Sequence, residues 1–250
     1  MFTGKSTALT DSGIAQAAAS LHVTPAEIWA ILTVETAGCG FLPDRRPQLL
    51  FERHYFHRLT GGQYADPDIS APTPGGYGPA GAHQYDRLAR ALALDRPAAL
   101  QSASWGIGQI MGANFQLAGF PDVETMITAM VDSEDAQLAA LSSFVRVQSP
   151  LANALKTKDW TTFARLYNGP AYAANAYDSK LAQAFTAYQN GTHPNSFVRA
   201  AQLYLTFRGF RPGPIDGIAG AHFHAALADF QREKGLSQSE ELDLEILQPD

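Results

Sequence analysis

Residues 24–38 constrain the fold more than any other stretch. Thr24-Pro25-Ala26-Glu27-Ile28-Trp29-Ala30-Ile31-Leu32-Thr33-Val34-Glu35-Thr36-Ala37-Gly38 spells one helix with marked ends. Thr24 suits the N-cap, Pro25 the first helical position, and Glu27 completes a capping box. Gly38 and Gly40 end it. Ile28, Ile31, Leu32 and Glu35 fall at i, i+3, i+4 and i+7 and share a face. Glu35 thus closes an apolar stripe near the helix C-terminus. There desolvation and the negative end of the helix dipole both favour the protonated acid. A carboxyl group kept protonated near neutral pH is equipped for general acid catalysis. Turned outward, the same residue would only be solvated or paired with an arginine.

The chain has 250 residues, 46% of them hydrophobic, enough for one large or two smaller domains with a sizeable core. Its net charge of −6, without a basic tract, argues against nucleic acid as the main partner and against a cationic membrane anchor. No apolar run is long enough to span a bilayer, so no membrane insertion is expected. Met1-Phe2-Thr3-Gly4-Lys5-Ser6 does not read as a secretory signal. Cys39 is the only cysteine, which excludes an internal disulfide; a small packed residue in a turn suits it better than a nucleophile.

The fold class is mainly α. Thr10 caps a first helix with Ile14, Ala17, Ala18 and Leu21 on its apolar stripe. The Glu35 helix follows, then a short extended piece over residues 48–54 and helical spacing from His54 to Leu59. Residues 61–81 are a Gly/Pro-rich loop, long enough to wall a cleft. Tyr85, Leu88, Ala89 and Leu92 form the stripe of the next helix. Asp95, Asp122 and Asp159 cap later ones, and residues 104–112 read as a glycine-rich turn leading into a helix. Asn168-Gly169-Pro170 stops the Trp160 helix, and Tyr172 to Gln189 makes the last helix of this unit. Asn190 to Ser196 is a linker by composition. Two short helices, Phe197 to Phe207 and Ala221 to Lys234, and a third near Leu242 to Leu247 complete the chain. The expected division is a catalytic domain over residues 1–190 and a small three-helix domain over 196–250, near the lower size limit for independent folding.

Three features stand in order: Glu35, the turn Gly106-Ile107-Gly108-Gln109-Ile110-Met111, and Leu166-Tyr167-Asn168-Gly169-Pro170. In that order they resemble the lysozyme-like superfamily, in which a helix-borne catalytic glutamate precedes a glycine-rich turn and a Tyr-Asn turn. The segments Glu35 to Phe41, Arg45 to His54 and Ser104 to Gly112 resemble more specifically the N-acetylmuramidase family of phage endolysins. The resemblance covers roughly residues 10 to 190 and implies that Glu35 is catalytic. The chemistry agrees, because cleaving a glycosidic bond needs an acid to protonate the leaving oxygen. Gly106 and Gly108 let backbone approach a sugar, and Gln109 both donates and accepts. Tyr167 can orient the Glu35 carboxyl and Asn168 can bind an N-acetyl group; alternatively they are a core tyrosine and a helix-ending asparagine.

The reaction also needs an answer from the other face of the sugar. Asp44 and Glu52 are the carboxylates available, and Glu52, flanked by apolar residues, is preferred, although an ion pair with Arg45, Arg46 or Arg53 would also account for it. If neither serves, the 6-hydroxyl of the substrate attacks, as in lytic transglycosylases. No cofactor is expected and no metal: His54 and His57 lack a third ligand at useful spacing, and His222 and His224 point to different helix faces.

The C-terminal segment resembles the small peptidoglycan-binding module in Val198 to Leu205, Gly209-Phe210, Gly213 to Gly220 and Ala225 to Gln231. Asp216-Gly217 reads as a tight turn, with Asp216 also able to satisfy the amides at the next helix start, and, by the resemblance, as part of the wall-binding surface. The departure is His222-Phe223-His224, where the family has small polar residues. The whole resemblance implies a monomeric endolysin that hydrolyses the β-1,4 bond between N-acetylmuramic acid and N-acetylglucosamine in peptidoglycan. It would accumulate in the host cytoplasm and reach the wall at lysis. The alternatives are a lytic transglycosylase giving 1,6-anhydro products and a non-catalytic wall-binding protein.

Overall fold

The computed structural model describes residues 2–35, 39–191, 193–237 and 244–248, apart from the side chains of Glu35, Pro170 and Ala171. Thr36, Ala37, Gly38 and Leu242, which carried helix-end and helix expectations, lie outside the described residues. The fold is mainly α. Helices α1 (Asp11–Leu21) and α2 (Pro25–Glu35) come first. Strand β1 (Leu49–Phe51), α3 (Arg53–Leu59), α4 (Ala82–Leu94), α5 (Arg96–Gln101), β2 (Ala103–Trp105) and β3 (Ile110–Met111) follow. The first unit continues through α6 (Val123–Asp132), α7 (Glu134–Val147), α8 (Ser149–Thr157), α9 (Trp160–Asn168) and α10 (Tyr177–Tyr188). The C-terminal helices are α11 (Ser196–Phe207), α12 (Ala221–Lys234) and α13 (Leu244–Leu247). Among the described residues no single helix is long and apolar enough to cross a membrane.

The caps form as the sequence predicts. Thr10, Asp95, Asp122 and Asp159 accept the N–H groups of Gly13, Ala98, Thr125 and Thr162 at 2.7–3.0 Å. In α2 the Glu27 carboxylate accepts the Thr24 N–H at 3.1 Å and the Thr24 hydroxyl at 2.5 Å. Glu27 is buried and also meets Lys158 Nζ at 3.1 Å. Burial pushes its pKa up, but the Thr24 and Lys158 contacts outweigh that and hold it below the ordinary value.

Helix α2 departs from its single-stripe pattern. Ala26, Ile28, Trp29, Ala30, Ile31 and Leu32 are all buried, so the helix is enclosed on every side rather than on one face. It packs against α10 and α1, in the middle of the main core. A helix apolar all round belongs inside a fold.

Three further expectations change. Residues 104–112 lead only into a short 3-10 turn, Gly112–Asn114, and before it β2 and β3 are an antiparallel hairpin, with Ser104 opposite Met111 and Trp105 opposite Ile110. Strand β1 joins β2 antiparallel, Leu49 opposite Trp105, giving a three-stranded sheet in the order β1-β2-β3. The α4 stripe is Gln84, Tyr85, Arg87, Leu88 and Ala91, while Ala89 is exposed. The helix expected from Tyr172 starts at Tyr177, after a 3-10 stretch over Pro170–Asn175 and a left-handed Ala176 (φ 51°).

The C-terminal helices have a core of their own, in which Leu203, Leu205, Phe223, Phe230 and Leu247 are buried. That core is continuous with Ala8, Cys39 and Phe41 of the first unit.

Candidate active site

The site assembles on the short sheet. Helix α2 delivers Glu35 at its C-terminal end, and the chain returns through Phe41 and Pro47 into β1. Gly40 C=O accepts the Gln48 N–H at 2.8 Å, and Gln48 C=O accepts the Gly106 N–H at 2.8 Å. Two backbone bonds therefore register the segment beyond the α2 helix, the start of β1 and the hairpin turn.

The hairpin turn is closed by its own residues. Gly106 has φ 69° and Gln109 φ 46°, the left-handed region that a glycine adopts freely and a glutamine only at a cost. That cost is offset locally: Gln109 Nε2 donates to Gly106 C=O at 2.9 Å, and Oε1 accepts from Ser104 Oγ at 2.9 Å. Both ends of the amide expected to meet substrate hold the turn. A Cβ on Gly106 would run into Gln137, and one on Gly108 would lie 3.0 Å from Leu141 Cβ. Both glycines permit close packing on α7, where the expectation was an open approach to sugar. Gln137, which the sequence reading did not single out, accepts the Ile107 N–H at 2.7 Å and donates to Met130 C=O at 2.7 Å.

Tyr167 is brought to the same turn. Its hydroxyl donates to Gly108 C=O at 2.5 Å, and its ring stacks on Phe163 with centroids 5.5 Å apart. The glycine turn and the Tyr-Asn turn are thus in direct contact, although 59 residues separate them. Asn168 is the last residue of α9, and the helix stop falls on Gly169 at φ 78°.

Glu52 lies just beyond β1, at the start of α3. Its N–H donates to Ser102 C=O at 2.8 Å, and its Oε2 is 3.1 Å from His54 Nδ1. Burial pushes the Glu52 pKa up; the pulls of His54, a hydrogen bond from Tyr77, and Arg87 oppose that shift without cancelling it. Tyr77 comes from the Gly/Pro-rich loop. That loop is held down by Arg87, which is fully buried: its NH1 donates to Phe51 C=O at 3.0 Å and Tyr77 C=O at 3.2 Å, and its Nε lies 3.2 Å from Asp68 Oδ1. Gln84 Nε2 adds bonds to Tyr77 C=O and Pro79 C=O at 2.7 Å each. The loop is therefore pinned so that Tyr77 stands beside Glu52. In Tyr77→Phe the acidic limb of kcat/KM, measured on soluble glycan, is expected to move to higher pH, because the lost hydrogen bond favours ionised Glu52. The plateau should fall less than about tenfold, the worth of one hydrogen bond.

Asp44 is committed elsewhere. Arg46 grips it through NH2 at 2.5 Å and Nε at 2.8 Å. Burial is the largest single effect and pushes its pKa up, but the Arg46 contacts together outweigh it and hold it below the ordinary value. Cys39 is buried, donates to Phe41 C=O at 3.1 Å, and has its thiol pushed up to about 11 by burial and by the Glu134 charge, which fits a packed residue and not a nucleophile. The histidine pairs diverge: His54 faces Glu52, while His57 Nδ1 meets Ser70 Oγ at 3.2 Å. His222 and His224 are both exposed, flanking the buried Phe223.

In the C-terminal unit, the Asp216-Gly217 turn is clamped to the buried Gln202. Gln202 Oε1 accepts both turn N–H groups at 3.1 and 2.8 Å, and its Nε2 donates to Asp216 Oδ1 at 3.1 Å. Asp216 Oδ1 also accepts the Ile218 N–H at 2.9 Å, so it serves the turn rather than the first amides of α12.

A helix ending in an acid, a small three-stranded sheet and a second, half-buried carboxyl just past the first strand are the plan of a lysozyme-like glycosidase, here followed by a three-helix appendage. The N-acetylmuramidase family matches residues 24–189, and a family described as a peptidoglycan binding domain matches residues 194–248. The chain belongs to the N-acetylmuramidase family and is a glycoside hydrolase whose partner is peptidoglycan. Among solved structures it is similar to that of the Burkholderia AP3 phage endolysin, with 42% identity and a TM-score of 0.69 over 73% of this chain and 71% of that one. No curated protein matches it.

Proposed function

We propose that this muramidase is an endolysin, hydrolysing the β-1,4 bond from N-acetylmuramic acid to N-acetylglucosamine with Glu35 as the acid and Glu52 as the second carboxylate. The similarity to the AP3 phage endolysin supports the biological setting. The observation that carries the chemistry is the placement of Glu52: a half-buried carboxyl, contacted by His54 and Tyr77, at the end of the first strand of the sheet whose hairpin is bonded to Tyr167.

Glu35 protonates the leaving oxygen. Glu52 in its ionised form supports the positive charge developing on the sugar ring and draws in the water that completes hydrolysis. Gly106, Gly108, Gln109 and Tyr167 act by shaping the turn, and Asn168 faces the glycan at its edge. Asp44 takes no part. Residues 1–190 carry the reaction and 196–250, with the Asp216-Gly217 turn, hold the wall, so that tethering raises the local concentration of bonds to cut. The enzyme acts as a monomer, waits in the host cytoplasm and meets the wall at lysis.

Digestion of purified peptidoglycan followed by borohydride reduction and mass spectrometry tests the reaction. Reduced N-acetylmuramic acid ends are expected. Anhydro ends would replace hydrolysis by transglycosylation, and reduced N-acetylglucosamine ends would place the cut on the other bond.

A further inference from the structure

Arg199 belongs to α11, the first helix of the wall-binding unit, yet its guanidinium is buried inside the contact with the catalytic unit. NH1 meets Glu134 Oε2 at 2.5 Å, and NH2 meets Oε1 at 2.9 Å. Glu134, the first residue of α7, is fully buried. Its remaining acceptor positions take two backbone donors: Oε1 accepts the Gly40 N–H at 2.7 Å and Oε2 accepts the Leu9 N–H at 2.8 Å. The carboxylate is thus saturated by two guanidinium nitrogens and two backbone amides, the condition under which a buried charge is tolerated.

What the pair holds is the chain leaving the Glu35 helix. Gly40 stands five residues after Glu35. Its N–H goes to Glu134, its C=O goes to Gln48, and Gln48 continues to the hairpin at Gly106. A bidentate guanidinium fixes the plane of the carboxylate, and that plane aims one oxygen at Gly40. Around it, Tyr204 OH accepts the Ala8 N–H at 3.1 Å, and Phe207 packs edge-on against Phe41 with centroids 6.3 Å apart. The wall-binding unit closes over this node as part of its core.

We propose that Arg199 is a positioning residue of the muramidase site: through Glu134 it anchors Gly40, five residues after Glu35, making the wall-binding unit a structural part of the catalytic machinery as well as a tether. This rests on Glu35 being the acid. Small displacements of a catalytic group cost large factors in rate; about 1 Å can cost on the order of 100-fold.

The test uses the full chain with Arg199→Met, Arg199→Lys and the double variant Arg199→Met/Glu134→Met, which removes both charges and so leaves no orphaned carboxylate. Each is assayed well below its melting temperature on soluble peptidoglycan glycan fragments, which need no tether, beside Glu35→Gln. The expected result for folded Arg199→Met and the double variant is a kcat at least tenfold lower with KM within a factor of about three, partial recovery in Arg199→Lys, and unchanged retention on insoluble peptidoglycan. If Arg199→Met does not fold, the lysine and double variants carry the comparison. A purely structural ion pair would move the melting temperature and leave kcat per folded molecule at the wild-type value; that outcome, with Glu35→Gln inactive, overturns this proposal alone. Activity surviving in Glu35→Gln overturns the assignment of the acid and this proposal with it.

Discussion

Glu35→Gln is expected to leave the protein able to hold peptidoglycan and unable to cut it. Glutamine keeps the size and hydrogen-bonding shape of the side chain but has no proton to give the leaving oxygen. Loss of a general acid costs roughly 10²- to 10⁴-fold in rate. Folding should be nearly unaffected, because the residues that bury α2, Ile28 to Leu32, precede position 35 and stay in place. The retained wall affinity comes from the C-terminal helices, whose core contains no part of α2. The measurements are turbidity clearing of permeabilised cells, release of reducing ends, and co-sedimentation with insoluble peptidoglycan. Clearing at the wild-type rate would remove Glu35 from the mechanism. Loss of sedimentation together with loss of clearing would show that the substitution damaged more than the acid.

The local parts of this fold were legible because their causes are local. A capping side chain bonds to an amide two or three residues away, so Thr10, Asp95, Asp122 and Asp159 could be read directly. The Tyr167 helix stop and the Asp216-Gly217 turn are of the same kind. The sheet was less visible. Strands of two and three residues are too short to display alternation, and a glycine-rich turn reads equally well as the entrance to a helix. The buried polar residues were hidden by being averaged into apolar stripes. Gln84 and Arg87 lie on the stripe that continues through Leu88 and Ala91. Glu134 lies four residues before Leu138, which puts it on the stripe of Leu141 and Val145. Arg199 stands in the run Val198 to Leu205. A charge on an apolar face was the signal that marked Glu35, and the same rule applied to α4, α7 and α11 finds Arg87, Glu134 and Arg199. The pairing of Glu52 with Tyr77 had no such signal, since it depends on the loop over residues 61–81 folding back under the grip of Arg87.

Glu52→Gln should make the enzyme slower and the fold more stable at neutral pH. The loss of rate follows from removing the charge that faces the developing oxocarbenium ion, and an effect on the order of 10²- to 10³-fold matches the removal of one electrostatic stabiliser. The gain in stability follows from linkage. Burial raises the Glu52 pKa above its unfolded value. Its favourable contribution to folding is therefore complete at pH values below about 4.3, the ordinary glutamate value, and is lost as the pH rises through the folded value. Above that range the wild type carries a partly buried, ionised carboxylate, and the glutamine variant does not. The Tyr77 hydroxyl can still donate to the glutamine oxygen, so the loop loses little. Urea unfolding followed from pH 3 to pH 8 should show the two proteins converging in acid and separating as the pH rises, with the variant the more stable. A variant less stable than the wild type at pH 7 would mean that the His54 and Arg87 charges hold Glu52 more strongly than burial penalises it. A variant with wild-type turnover would leave the sugar's own hydroxyl as the group that answers Glu35.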